Sequence, residues 1–257
     1  MKVFSLNEQE GAPRYGQMLQ TNYGFWLRGY EVVPFERAQL SQGEFDEYLL
    51  NQPDEVIFVA SVGVMREAFR RAGKPIEQLL DFPAELEGFF GREISQCSMG
   101  EVREWEKNDS GRFPIHIKPS KNQKLFTGTV VDTSADFVRL CNVSNEEPLY
   151  VQDYVEIQSE WRATILRGKL VNAAHYKGDP LAFPDRAIME SAIAAYRSAP
   201  VGYAMDWGVT STGKTILVEV NDGFALGNYG VKSYLYTALL ESRWREIMGL
   251  PDNYVGI

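Results

Sequence analysis

The chain has 257 residues, 44% of them hydrophobic and 24% charged, enough to bury a sizeable core and unlike the composition of a disordered or low-complexity protein. Its formal net charge of −9 argues against broad contact with a nucleic-acid backbone, which calls for a basic footprint. No window approaches the run of about 18 apolar residues that spans a membrane.

The N-terminal Met1-Lys-Val-Phe-Ser-Leu6 passes into polar sequence too soon for a signal peptide, so cytoplasmic residence is expected. Cys97 and Cys141 have neither a disulfide framework nor zinc-ligand spacing, and are expected as buried thiols.

The first hundred residues alternate β and α patterns, with strands expected at Lys2 to Leu6 and Tyr30 to Pro34. The apolar run from Asp54 to Ala60 reads as a buried strand, and Val64 to Ala72 as the helix after it. Asp81 to Gly100 is rich in Pro, Gly and aromatics, and Glu101 to Asp109 is charged. The expected division is therefore an N-terminal α/β domain over 1–110 and a second domain over 111–257.

Beyond that point the pattern changes to hairpins. Strands are expected at Phe113 to Pro119 and Thr129 to Asp132, around a Lys- and Gly-containing loop that ends at Gly128. Leu149 to Ile157 is another extended run, and Ser159 to Leu166 pairs with Lys169 to Tyr176 through Arg167-Gly168. A helix follows over Arg186 to Ser198. The last hairpin joins Tyr203 to Val209 with Thr215 to Asn221, and a final helix covers Val231 to Met248.

Three groups of residues bear on chemistry. In the last hairpin, a turn centred on Thr212-Gly213 sets Asp206 opposite Glu219, with Asn221 on the same face. Facing carboxylates repel unless a cation or proton lies between them, and magnesium suits two carboxylates and an amide oxygen. A solvated acidic hairpin is the plainer alternative. In the second group His116 and Lys118 share one strand face, and the loop holding Lys124 offers N–H groups and lysines to phosphates. A basic hairpin tip would look the same. In the third, Glu160 and Arg162 share a face, and counting back from Arg167-Gly168 sets Arg162 opposite Ala173 and Glu160 opposite His175, with Lys177 beyond. A surface charge ladder is the alternative here. With two histidines in the chain, chemistry built on a His dyad is disfavoured.

In this order the segments resemble the ATP-grasp superfamily, and within it the clade named for one Arg and two Lys in the nucleotide site. The resemblance rests on Ile117-Lys-Pro-Ser120 with Lys124-Leu-Phe-Thr-Gly128, Val151-Gln-Asp-Tyr-Val155 followed by Ser159-Glu-Trp-Arg162, Tyr203-Ala-Met-Asp206, and Val218-Glu-Val-Asn-Asp-Gly223. It implies an α+β ATP-grasp fold, two α+β subdomains clasping ATP, preceded by the small α/β N-terminal domain. It also implies that Lys118 and Lys124 contact ATP phosphates, that Gln152, Asp153, Tyr154 and Val155 meet adenine through their backbone, and that Glu156 or Glu160 holds the ribose. Arg162 and Lys177 resemble the cationic pair beside the transferred phosphoryl group, and Asp206, Glu219 and Asn221 match the Mg2+ positions.

The activity so implied is that of an ADP-forming ligase, which activates a small-molecule, amino-acid or peptide carboxylate as an acylphosphate for an amine. A phosphotransferase of the same fold and a non-catalytic ATP-binding module are the competing expectations. Neither a nucleic acid nor a membrane is expected as a partner.

Overall fold

A computed structural model of the chain describes residues 1–7, 15–76, 81–108, 110–121 and 125–252. The chain forms two compact units. The first comprises Met1–Phe89, Gln158–Val209 and Gly213–Ile257, and the second Phe90–Ile157 with Thr210–Thr212. Residue 110, where the sequence pattern changes, lies inside the second unit.

The first unit opens with β1 (Lys2–Leu6), α1 (Tyr15–Leu27), β2 (Glu31–Phe35), α2 (Arg37–Gln42), α3 (Asp46–Asn51), β3 (Val56–Val59) and α4 (Val62–Arg71). The three strands form a parallel sheet in the order β2-β1-β3, with Val3 between Val32 and Ile57. Parallel strands need crossovers that cover the sheet, and all four residues of β3 are accordingly buried. Helix α4 buries Val64, Met65, Ala68 and Phe69 along one stripe.

The second unit holds β4 (Ile94–Ser98), α5 (Met99–Asn108), β5 (Ile115–Pro119), β6 (Thr129–Val131) and β7 (Pro148–Asp153). They form an antiparallel sheet in the order β4-β7-β5-β6, and its core gathers Met99, Val102, Ile115, Ile117, Leu149 and Val151. The extended run expected from Leu149 to Ile157 is broken after Asp153, and residues 154–156 stand outside any strand. Cys141 is exposed, contrary to the expectation of a buried thiol, because Leu140 and Val143 on either side of it take the inward positions; Cys97 is half-buried.

The first unit resumes with β8 (Ile157–Leu166), β9 (Lys169–Gly178), α6 (Arg186–Ala195), β10 (Gly202–Thr210), β11 (Thr215–Asp222) and α7 (Ser233–Met248). The sheet order is β11-β10-β8-β9, so the two hairpins join edge to edge through β10 and β8. All nine residues of β10 are buried, as expected of a central strand covered on both faces. A core joins the parallel sheet to α7, with Trp244 of α7 5.6 Å from the Phe58 ring and 5.3 Å from that of Phe69. Within it Glu241 accepts from Arg28, from the Tyr30 hydroxyl at 2.8 Å and from Arg245 Nε at 3.1 Å. Among the described residues no helix is long and apolar enough to cross a membrane.

Candidate active site

In the first unit the centre of interest is the β10–β11 hairpin. Asp206 pairs with Glu219 as the sequence predicts, but through a bulge. The ladder starts at Val209 opposite Thr215 and runs to Trp207 opposite Leu217. Continued without interruption it would set Asp206 against Val218; the extra residue at Val218 carries Glu219 into place instead. Asn221 stands on the same face, and its Nδ2 donates to Asp206 Oδ2 and to Glu219 Oε1, both at 3.1 Å.

Arg162, from the neighbouring β8, forks onto Asp206, with Nε 2.7 Å from Oδ1 and Nη2 2.5 Å from Oδ2. Asp206 is 3% and Arg162 8% exposed, so this is a buried, bidentate ion pair. Burial raises the Asp206 carboxyl above its ordinary range; the Arg162 guanidinium opposes that shift, and the Glu219 and Glu160 carboxylates reinforce it. Burial is the largest single influence on Arg162 and works against its charge, but the hydrogen bonds to Asp206, that carboxylate's charge and the nearby Tyr229 and Tyr176 together hold the guanidinium pKa above the usual value.

Among the described residues no three His, Cys, Asp or Glu side chains are grouped to hold a metal ion. The cluster's donor set is two carboxylates and one amide, which suits magnesium, since that ion keeps several waters and takes few protein ligands. The Asn221 amide group, with its partial positive charge, already bridges the two carboxylates where a cation would be favoured. Turning the amide over would present Oδ1 in place of Nδ2 without moving the backbone. On this test Asp206, Glu219 and Asn221 fit the ion.

The β8–β9 hairpin departs from its expected register. Extra residues at Val171 and Tyr176 set Arg162 opposite Ala174, Glu160 opposite Lys177 and Trp161 opposite His175. Of the expected gathering, Glu160, Arg162 and Lys177 keep a common face, with Lys177 directly opposite Glu160, while His175 moves to the other face beside Trp161. His175 packs edge-on against Trp161 at 5.3 Å, while Glu160 accepts from the Tyr176 hydroxyl at 2.9 Å and pairs with Lys177, whose side chain is 71% exposed. Sequence reasoning missed Tyr176 and Tyr229. The Tyr229 ring lies 4.3 Å from the Arg162 guanidinium, and its φ of 46° falls in the left-handed region that tyrosine rarely adopts. The one sequence signal for Tyr229 is its place in the Gly-rich stretch Gly227-Asn-Tyr-Gly230.

In the second unit, the buried pattern of Ile115, Ile117 and Pro119 leaves His116 and Lys118 on the opposite face of β5. Across the ladder His116 pairs with Gln152 and Lys118 with Tyr150. Gln152 is buried, and its Oε1 accepts from Arg92 Nε at 2.8 Å and Nη2 at 2.6 Å; Arg92 is another residue the sequence did not mark. A Cβ on Gly128 would lie 2.8 Å from His116 Cε1, so glycine there permits the chain to close on this face. Asp153 Oδ2 accepts from the Glu93 N–H at 3.1 Å. Tyr154 is 47% exposed, Val155 is half-buried, and the Glu156 carbonyl accepts from the Ser211 N–H at 3.0 Å. Lys124 lies outside the described residues.

Residues 89–239 match the family model described as ATP-grasp domain, R2K clade family 2. No curated protein matches the chain. Among solved structures, D-cycloserine synthetase DcsG is 11% identical with a TM-score of 0.64, covering 96% of this chain and 100% of that one. D-alanine–D-alanine ligase from Bacillus anthracis, complexed with ATP, is 14% identical with a TM-score of 0.61, covering 97% of this chain and 99% of that one. The ATP-grasp ligase PsnB, in complex with a phosphomimetic variant of its minimal precursor, Mg and ADP, is 14% identical with a TM-score of 0.55, covering 94% of this chain and 98% of that one. At such identities the likeness establishes the α+β ATP-grasp fold.

Proposed function

The chain belongs to the ATP-grasp domains of R2K clade family 2, and from that premise we propose that it is a cytoplasmic, ATP-dependent ligase that joins a carboxylate to an amine and releases ADP and phosphate. The observation that supports this most is the cluster of Asp206, Glu219 and Asn221, with a buried arginine forked onto it. Its groups supply charge stabilisation rather than a proton acceptor of histidine type.

On this reading a substrate carboxylate oxygen attacks the γ-phosphorus of ATP, the bond to the bridging oxygen breaks, and ADP leaves. The amine then attacks the acyl carbon, loses a proton, and displaces phosphate that keeps one carboxylate oxygen. Asp206, Glu219 and Asn221 would hold magnesium, which when bound neutralises charge on the phosphates. Arg162 and Lys177 set positive charge near the transferred group, and Lys118 and Lys124 bind the phosphates. Gln152, Asp153, Tyr154 and Val155 meet the adenine through their backbone, and Glu156 or Glu160 binds the ribose. Glu160 is preset for this by the Tyr176 hydroxyl, which fixes one of its oxygens at 2.9 Å.

The test is ADP and phosphate release from the purified protein with Mg-ATP and mixed pools of carboxylates and amines, beside mass detection of products. ADP that needs both pools, with a product lighter than its parts by one water, supports the ligase. A phosphorylated product without condensation points to a phosphotransferase, and nucleotide binding without turnover across all pools to a binding module.

A further inference from the structure

Helix α1 carries no charged side chain, and none stands between Arg14 and Arg28 in a chain of net charge −9. One face of the helix is buried. Thr21 and Phe25 point into the first unit, and Gly24 permits a close approach to α7, since a Cβ there would stand 2.9 Å from Thr237 and 3.0 Å from Ser233. The opposite face holds Leu19, Tyr23, Trp26 and Leu27, which fall at i, i+4, i+7 and i+8 along one stripe, and all four are more than half exposed. Tyr234, next to Ser233 at the start of α7 and 50% exposed, extends the stripe across the helix crossing. Tyr23 and Trp26 stack with ring centroids 5.9 Å apart, so the two aromatic rings of α1's exposed face hold each other in place.

Apolar residues scattered singly over a surface need no explanation, but a continuous, charge-free strip with aromatics at its centre has the composition of an interface core. A fully exposed aromatic side chain presents about 150–250 Å2, so at 56%, 63% and 50% exposure Tyr23, Trp26 and Tyr234 together present roughly 250–420 Å2, which the two leucines enlarge. That is about half of the roughly 800 Å2 each partner gives to a standard interface, and a polar rim around such a centre supplies the remainder. Charge decides the kind of partner. A strongly basic or acidic protein is recognised by charges of opposite sign, and α1 offers none. An anionic membrane surface calls for Lys and Arg beside the apolar face, which α1 lacks, and the net charge opposes it. Two copies of an acidic chain, by contrast, meet with least repulsion through a charge-free strip. A stripe that is apolar at each position also meets the self-complementarity that a two-fold contact demands: with the helices antiparallel about Tyr23, Leu19 of one copy faces Leu27 of the other.

We propose that the chain forms a two-fold homodimer through the outer face of α1, with Tyr234 at its margin. Because Met18 and Thr21 of the same helix border the cleft beside Arg162, the second copy braces one wall of that cleft from behind. The dimer does not depend on the ligase reading.

The experiment follows the mass of the full chain by sedimentation over a wide series of protein concentrations. Twice the chain mass is expected at micromolar concentration. Trp26→Glu sets a charge at the centre of both strips and is expected to raise the dimer dissociation constant by about a hundredfold or more, because one substitution acts twice across a two-fold contact. Tyr234→Ala, at the margin, is expected to raise it by about tenfold or less. Trp26→Phe, which keeps an apolar ring, and Val138→Glu, at a side chain 69% exposed in the second unit, are expected to leave the dimer intact. Circular dichroism checks that each variant is folded. A parent chain that stays monomeric across the series, or a dimer whose dissociation constant Trp26→Glu moves by less than about threefold, would overturn the proposal. So would a monomeric chain that binds vesicles of neutral phosphatidylcholine through Trp26.

Discussion

Replacing Arg162 by Met tests how the site is held in the absence of metal. Asp206 is 3% exposed and both its oxygens are engaged by the Arg162 fork at 2.7 and 2.5 Å. Methionine keeps the apolar bulk and leaves a buried carboxylate with one remaining donor, the Asn221 amide at 3.1 Å. Removing one partner of a buried pair costs about 3–5 kcal/mol. For a protein of this size each kcal/mol lowers the melting temperature by about 2–4 °C, so a fall of roughly 6–20 °C is expected. Because Arg162 supplies positive charge to the same carboxylate cluster that would hold magnesium, the ion should recover more of the melting temperature in the variant than in the parent protein. Calorimetric melting with and without magnesium measures both effects. A variant that melts within a degree or two of the parent would refute the claim that this pair is buried and paired as described.

Further outcomes follow from other parts of the fold. Glu241→Ala strips the shared acceptor from Arg28, Tyr30 and Arg245 and should destabilise the chain by about 3–5 kcal/mol in a urea titration; a loss under about 1 kcal/mol would contradict the network. The Cys97 thiol is pushed from 9.0 to about 11 by burial and the nearby Glu101 carboxylate, so at pH 8 its thiolate fraction drops from roughly one in ten to one in a thousand. Thiol labelling at that pH, mapped by mass spectrometry, should therefore modify exposed Cys141 well before Cys97, and equal rates would contradict it. Gly128→Ala forces a Cβ to 2.8 Å from the His116 ring, which should cost about 1–3 kcal/mol of stability and, if Lys118 holds ATP phosphates, weaken ATP binding measured by calorimetry; unchanged values of both would oppose the close contact.

Much of the strand pattern was legible, because alternation survives wherever one face of a strand is buried. Ile115 and Ile117 against His116 and Lys118 is the clearest instance. Registers were less so, since counting from a turn assumes an unbroken ladder. Extra residues at Val171 and Tyr176 moved Glu160 from His175 to Lys177, while the one at Val218 happened to restore the pair that a miscentred turn had given. Helix α5 looks like a charged boundary in the sequence because Met99 and Val102 are its only buried residues. The Arg162–Asp206 pair was beyond reach for a different reason: it depends on β10 lying beside β8, a sheet order fixed by tertiary packing and marked by no local pattern.

The most direct measurement of the central claim follows one oxygen atom. With heavy oxygen in the carboxylate of an accepted acid, Mg-ATP and an amine, the account predicts that one labelled oxygen appears in the released phosphate for each amide formed, and that Asp206→Asn with Glu219→Gln abolishes both. Phosphate free of label beside an amide product, or label retained in a stable phosphorylated acid whether or not amine is present, would contradict it.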